Sequence, residues 1–242
     1  MYEGIAAAQR AAIRTVEELN ERLVPGMSER EVDRLAEKIL RENGIRKFWY
    51  HDIACLTLIG GHSAVSVGGS EYDPGDDTVI GENDVITLDL SPAIGLSWGD
   101  YARTLFMENG RMCPLDKPSD PDFREGLELE IHLHDLLIKS FDPDMTFEEV
   151  YCLINSEITA CGFRNLDFRG NLGHTIETYP DARRYLEKGN RLTFREAGRP
   201  FTLEPHIASS DRFGFKRENI YVFADGRLAA IDEKVSRETS YG

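Results

Sequence analysis

The chain has 242 residues, 41% of them apolar and 29% charged, enough to bury the core of one large domain or two small ones. Its net charge of −15 comes with no offsetting basic stripe, which argues against nucleic acid or an anionic membrane as partner. No apolar run approaches the roughly 18 residues of a membrane-spanning helix, and the opening segment lacks the apolar block of a secretion signal, so a cytoplasmic location is expected.

Helix signals come first. Residues 2–23 repeat apolar positions at helical spacing, and Pro25-Gly26 breaks the run. Ser28 with Glu31 forms a capping box for a second helix, Val32, Leu35, Ile39 and Leu40 supply its buried stripe, and Gly44 stops it. Strands are expected over 52–59, 84–90 and 101–106, with turns at Gly68-Gly69, Pro74-Gly75 and Asn109-Gly110. A third helix is expected over 121–140 and a fourth after the Thr146–Glu149 capping box, ending at Gly162. Strands then follow over 191–194, 201–207, 219–224 and 228–232. The four cysteines, Cys55, Cys113, Cys152 and Cys161, show no CxxC spacing and are expected reduced and buried.

The second set of helix signals repeats the first. An offset of 118 carries Pro25 to Pro143, Met27 to Met145, Ser28 to Thr146, Glu31 to Glu149, Val32 to Val150 and Gly44 to Gly162. Two similar halves, about 1–115 and 116–242, are therefore expected, related by a pseudo-two-fold axis within a single α+β domain spanning 1–242.

The repeat gathers acids. ITLD ends at Asp89 and FTLE at Glu204; Asp100 and Glu218 follow them by 11 and 14 residues. A two-fold axis would bring all four to the middle of the sheet, where uncompensated carboxylates repel one another and lose solvation. Divalent cations resolve that conflict. His174, preceded by Gly170 and Gly173, is the candidate imidazole ligand.

The segment VITLDLSPAIGLSWGDYARTLF resembles the first metal-binding stretch of the pita-bread metallopeptidases, which include methionine aminopeptidase, Xaa-Pro aminopeptidase, prolidase and creatinase. Their pattern of Asp, ten residues, Asp and a following Arg-Thr falls on Asp89, Asp100, Arg103 and Thr104. GHTI, FTLEPHI and FKRENIYVFADG are similar to the remaining metal-binding segments and make Glu218, not Glu233, the last ligand. The resemblance spans nearly the whole chain and corresponds to the catalytic domain alone. It implies the creatinase/aminopeptidase-like fold, with two helix-pair-plus-strands halves around a curved, antiparallel-rich sheet.

It also implies two divalent ions, Mn, Fe, Co or Zn, bridged by Asp100 and Glu218. Asp89 would complete one site, and His174 with Glu204 the other. The expected activity is metal-dependent hydrolysis of an amide or related C–N bond, with Glu204 carrying a proton to the leaving nitrogen, Arg103 supporting the acids, and a homodimer as in relatives.

The chain departs from the family where substrate histidines are expected. Val67, Asp181 and Gly170 stand at those positions. His62 and His206 are the candidate substitutes, and Tyr101 and Tyr179 the other candidate pocket residues, while His51, His132 and His134 read as structural. A short peptide is then one expected substrate. A small molecule, cleaved as by creatinase or a lyase, is the other. A binding module with a dead site is the third reading, and it is disfavoured because all five ligands are present.

Overall fold

The structure, a computed structural model, describes residues 2–231. Asp232, the end of the last expected strand, and Glu233 lie outside the described residues. In the first half α1 (Glu3–Arg22) and α2 (Glu29–Glu42) precede β1 (Lys47–Phe48), β2 (Cys55–Ile59), β3 (Asp84–Leu90), β4 (Pro92–Ile94), β5 (Ser97–Trp98), β6 (Tyr101–Glu108) and β7 (Arg111–Met112). In the second half α3 (Pro121–Ser140) and α4 (Phe147–Ala160) precede β8 (Arg164–Asn165), a short α5 (Phe194–Ala197), β9 (Phe201–Leu203), β10 (His206–Ala208), β11 (Phe215–Lys216), β12 (Asn219–Ala224) and β13 (Arg227–Ala230).

The offset of 118 relates both ends of α1 to those of α3, and both ends of α2 to those of α4. Ser28 and Thr146 each close a reciprocal capping box, so the same hydrogen bonds start the second helix of each half. Gly44 and Gly162 end these helices with φ of 88° and 80°, a conformation that costs glycine nothing. Each half also has its own apolar core. One joins α1 and α2 to β2, β3 and β6; the other joins α3 and α4 to β9, β10 and β12. Phe106 of β6 belongs to the second core, through ring contacts with Phe123 and Phe215.

The strand pairings are antiparallel, the longest being β2-β3-β6-β7 in the first half and β13-β12-β9 in the second. The two systems meet at an Arg103–Arg217 bridge and at the Glu218 N–H, which donates to the Ala102 carbonyl at 3.0 Å.

Three expectations are corrected. Residues 191–194 form no strand, because Thr193 caps α5 in another capping box with Glu196. The expected 201–207 strand divides at Glu204-Pro205, where proline has no N–H for a ladder. Cys55 and Cys113 are buried, but Cys152 and Cys161 are exposed, since Phe147, Val150, Ile154 and Ile158 take the inward stripe of α4. No helix among the described residues is long and apolar enough to cross a membrane.

Candidate metal centre

The site forms where the two halves join. Asp89 lies on β3, paired across to Ala102 on β6. Asp100 stands just before β6 and is fixed through its backbone. The Gln9 amide donates to the Asp100 carbonyl at 2.8 Å, and the Asp100 N–H donates to Gln9 Oε1 at 3.0 Å. Gly99 permits this approach, because a Cβ there would lie 2.9 Å from the Gln9 nitrogen. Glu218 opens β12. Arg103 donates from one Nη to the carbonyls of both Ala102 and Glu218, each at 2.7 Å, and from the other to Asn219 Oδ1.

His174 and Glu204 arrive on paired segments. The His174 carbonyl accepts from Thr202 N–H at 2.8 Å, and the Leu172 carbonyl accepts from Glu204 N–H at 2.9 Å. Gly173, at φ 145°, lies against the Thr202 carbonyl where any Cβ would clash. His174 Nδ1 faces the Thr175 carbonyl at 3.2 Å and donates to it, which leaves the Nε2 lone pair directed at the acids. Nε2 lies 3.3 Å from Asp100 Oδ2 and 3.7 Å from Glu204 Oε1.

Asp100, His174 and Glu218 are all buried, each with a potential ligand atom within 4.8 Å of the others. Both Glu218 carboxylate oxygens are buried without a hydrogen-bond partner among the described residues. Desolvation, then the neighbouring acids, push the Glu218 and Asp100 carboxyls well above the ordinary carboxylate range. Desolvation also holds His174 near 4, so its imidazole is neutral, the form that binds metal. A divalent cation fits these donors. It would satisfy the two orphaned oxygens of Glu218 and remove the repulsion that otherwise keeps the acids protonated.

The outer pair of acids is organised by a residue that the sequence reading missed. Lys216 Nζ lies 2.6 Å from Asp89 Oδ2 and 3.2 Å from Glu204 Oε2. Burial opposes the ammonium, but Asp89, Glu204 and Glu218 outweigh it and hold Lys216 well above its usual range. Its position follows from Gly126 of α3, which sits against the Phe215 ring where a side chain would clash. The only sequence signal was a lysine two residues before a ligand.

These groups open into a cavity of about 290 Å³. Val67 and His206 line it, together with Trp49, Tyr185, Arg169 and Arg183. His206 Nε2 is 2.7 Å from the Ser63 carbonyl, and desolvation holds its imidazole near 4. His51, read from sequence as structural, also lines the cavity. The other candidate pocket residues lie elsewhere. His62 is exposed, with Nδ1 3.0 Å from Glu29 Oε1. Tyr179 and Asp181 are exposed outside the cavity lining, and Tyr101 is buried beneath the Arg103 guanidinium, 3.9 Å from its ring centre. Arg103 is likewise absent from the cavity wall; it grips the backbone that carries Glu218.

Two pseudo-symmetric helix-and-strand halves closing on a carboxylate–imidazole cluster define a pita-bread protein. The sequence profile of metallopeptidase family M24 matches residues 3–225, and the chain belongs to that family. Among solved structures it is similar to an X-Pro aminopeptidase from Thermotoga maritima, at 21% identity and a TM-score of 0.78 over 95% of this chain and 60% of that one. It is also similar to prolidase from Pyrococcus furiosus, at 21% identity and 0.73 over 95% and 63%. A methionine aminopeptidase from Thermotoga maritima matches at 16% identity and 0.75 over 96% of both chains. The chain thus spans about three-fifths of the first two proteins' length. No curated protein sequence matches it.

Proposed function

We propose that the chain is a metal-dependent hydrolase that cleaves an amide or related C–N bond in a short peptide or small molecule. The observation that carries this reading is Glu218, a fully buried carboxylate with both oxygens unpartnered beside Asp100 and His174. In this reading two divalent ions, Mn, Fe, Co or Zn, would be held by Asp89, Asp100, His174, Glu204 and Glu218. Lys216 supports the arrangement, because it takes one oxygen of Asp89 and one of Glu204 and leaves the second of each for a cation. Bound divalent ions would supply Lewis acidity, lowering the pKa of a water and polarising the scissile carbonyl.

The protein's own groups do the rest. Glu204, half-buried on the cavity wall, carries a proton from the attacking water to the leaving nitrogen. Neutral His206, donating from Nε2 to Ser63, keeps Nδ1 as an acceptor beside the reacting groups. Arg103 is a positioning residue that fixes Glu218.

Peptide hydrolysis is supported by the aminopeptidases and prolidase among the similar structures. A small-molecule substrate is supported by Val67, which gives the cavity wall an apolar face where the family places an imidazole. Elemental analysis after loading with each of the four metals is expected to give two ions per chain. One would remove the dinuclear part of the proposal, and fewer than one would remove all of it. Asp100→Ala should lose metal and turnover together. A panel of peptides with free N-termini then separates the substrates: bound metal without peptide turnover selects the small molecule.

A further inference from the structure

Among the described residues, the buried side-chain oxygens without a hydrogen-bond partner belong to two glutamates. Glu218 is accounted for by the candidate metal centre. Glu130 of α3, only 2% exposed, is not. A buried carboxyl is ordinarily satisfied by a protein group or an ordered water. Burial pushes the Glu130 carboxyl well above the ordinary carboxylate range, against the pull of Arg217, Lys216 and Arg103, so the group is neutral and carries both a donor and an acceptor.

Glu130 lines a second, much smaller cavity of about 10 Å³, whose wall includes Thr104, Lys216 and Arg217. That is room for one water molecule, in polar surroundings that can hold it. Thr104 Oγ1 accepts from the Lys216 N–H at 2.8 Å. In the orientation in which it donates to Thr87 Oγ1, 3.2 Å away, it keeps a second lone pair open. Lys216 lines both cavities, and in the larger one its ammonium meets Asp89 and Glu204. The segment from Lys216 to Glu218 is gripped at its other points. His134, one turn beyond Glu130 on α3, donates from Nε2 to the Arg217 carbonyl at 3.0 Å, the Arg217 guanidinium pairs with Asp116, and Arg103 holds the Glu218 carbonyl. Glu130 is the group facing this segment that still lacks a partner.

We propose that the small cavity is a water site, in which one water joins the Glu130 carboxyl to the Thr104 hydroxyl, and that Glu130 is thereby a positioning residue for Lys216 and for the outer acids of the metal centre. The inference rests on the hydrolase reading above, whose metal centre it supports from α3. Glu130 lies outside the large cavity and acts by fixing α3 against β11, which carries Lys216. With that link broken, the ammonium loses its fixed height between Asp89 and Glu204, and the two carboxylates lose their fixed spacing.

The test follows Co(II), whose visible absorption reports both occupancy and coordination geometry, on the full chain. Glu130→Gln keeps a neutral donor and acceptor for the water, whereas Glu130→Leu and Glu130→Met, of similar size, keep neither. The Gln variant should bind Co(II) with close to the affinity and the spectrum of the unsubstituted chain. Both apolar variants should bind about tenfold more weakly or worse, with shifted bands. Their urea midpoints in chelator should stay the same or rise, because no polar group is left buried without a partner. A merely structural role would lower stability and affinity together. Apolar variants that bind Co(II) like the unsubstituted chain, or a Gln variant that loses as much as they do, overturn the proposal. So does a crystal structure in which no water bridges Glu130 and Thr104, and that structure decides the matter if neither apolar variant folds. Each of these outcomes leaves the hydrolase reading standing as long as the unsubstituted chain binds Co(II); failure to bind it overturns both.

Discussion

Replacing Lys216 with methionine keeps the length of the side chain and removes its charge. The ammonium lies 2.6 Å from Asp89 and 3.2 Å from Glu204. At an effective dielectric constant of about 20 these separations correspond to gross attractions of roughly 6 and 5 kcal/mol. Desolvation of three charged groups cancels part of that, and breaking such a buried arrangement on one side costs about 3–5 kcal/mol. The Asp89 and Glu204 side chains keep 22% and 19% of their exposure, which places the expected loss at the lower end, near 3 kcal/mol. The assay is urea unfolding at pH 7.5 in the presence of a chelator, followed by circular dichroism. For a slope of about 3 kcal/mol/M, the midpoint of Lys216→Met should fall by about 1 M. Adding Mn(II) should recover more stability in the variant than in the unsubstituted chain, because two carboxylates have been released to a cation. Equal midpoints without metal would refute the view that Lys216 offsets the charge of the outer acids.

Other outcomes follow from the same contacts. Gln9→Leu leaves the buried N–H and carbonyl of Asp100 without partners, so stability should fall by about 2–4 kcal/mol and metal affinity with it, as read by chelator competition. Arg103→Lys cannot reproduce the fork that grips Ala102, Glu218 and Asn219, and metal affinity should drop about 10–100-fold. Asp33 is raised to about 6 by burial and by Glu37, so its ionisation destabilises the fold as pH rises through 6. Asp33→Asn should therefore stabilise the chain at pH 8 by about 1–2 kcal/mol, after discounting for its partial exposure, with little effect at pH 4. Val67→His restores an imidazole to the cavity wall and should raise peptide turnover by up to about 100-fold if a donor to the substrate oxygen is what is missing.

Local and periodic features were legible in the sequence because they depend on neighbours in the chain. Capping boxes, stop glycines and apolar stripes set α1 to α4, and their recurrence at one offset disclosed the two halves. The four candidate acids could be named because they lie on or follow apolar strands in matched places, and His174 because small residues precede it in a segment that resembles the family's. The same reasoning turned Thr193 into part of a strand, since a four-residue helix has too short a period to read. Which side chains face the ligands was decided only by tertiary structure. Lys216 reaches Asp89 from 127 residues away, on a strand placed by the contact of Gly126 with Phe215. Arg169, Arg183 and Trp49 converge on one cavity from separate loops, and His62, Tyr179 and Asp181 fall outside it. Sequence determines what each segment can form; long-range packing determines which charges share a low-dielectric space, and the chemistry depends on that sharing.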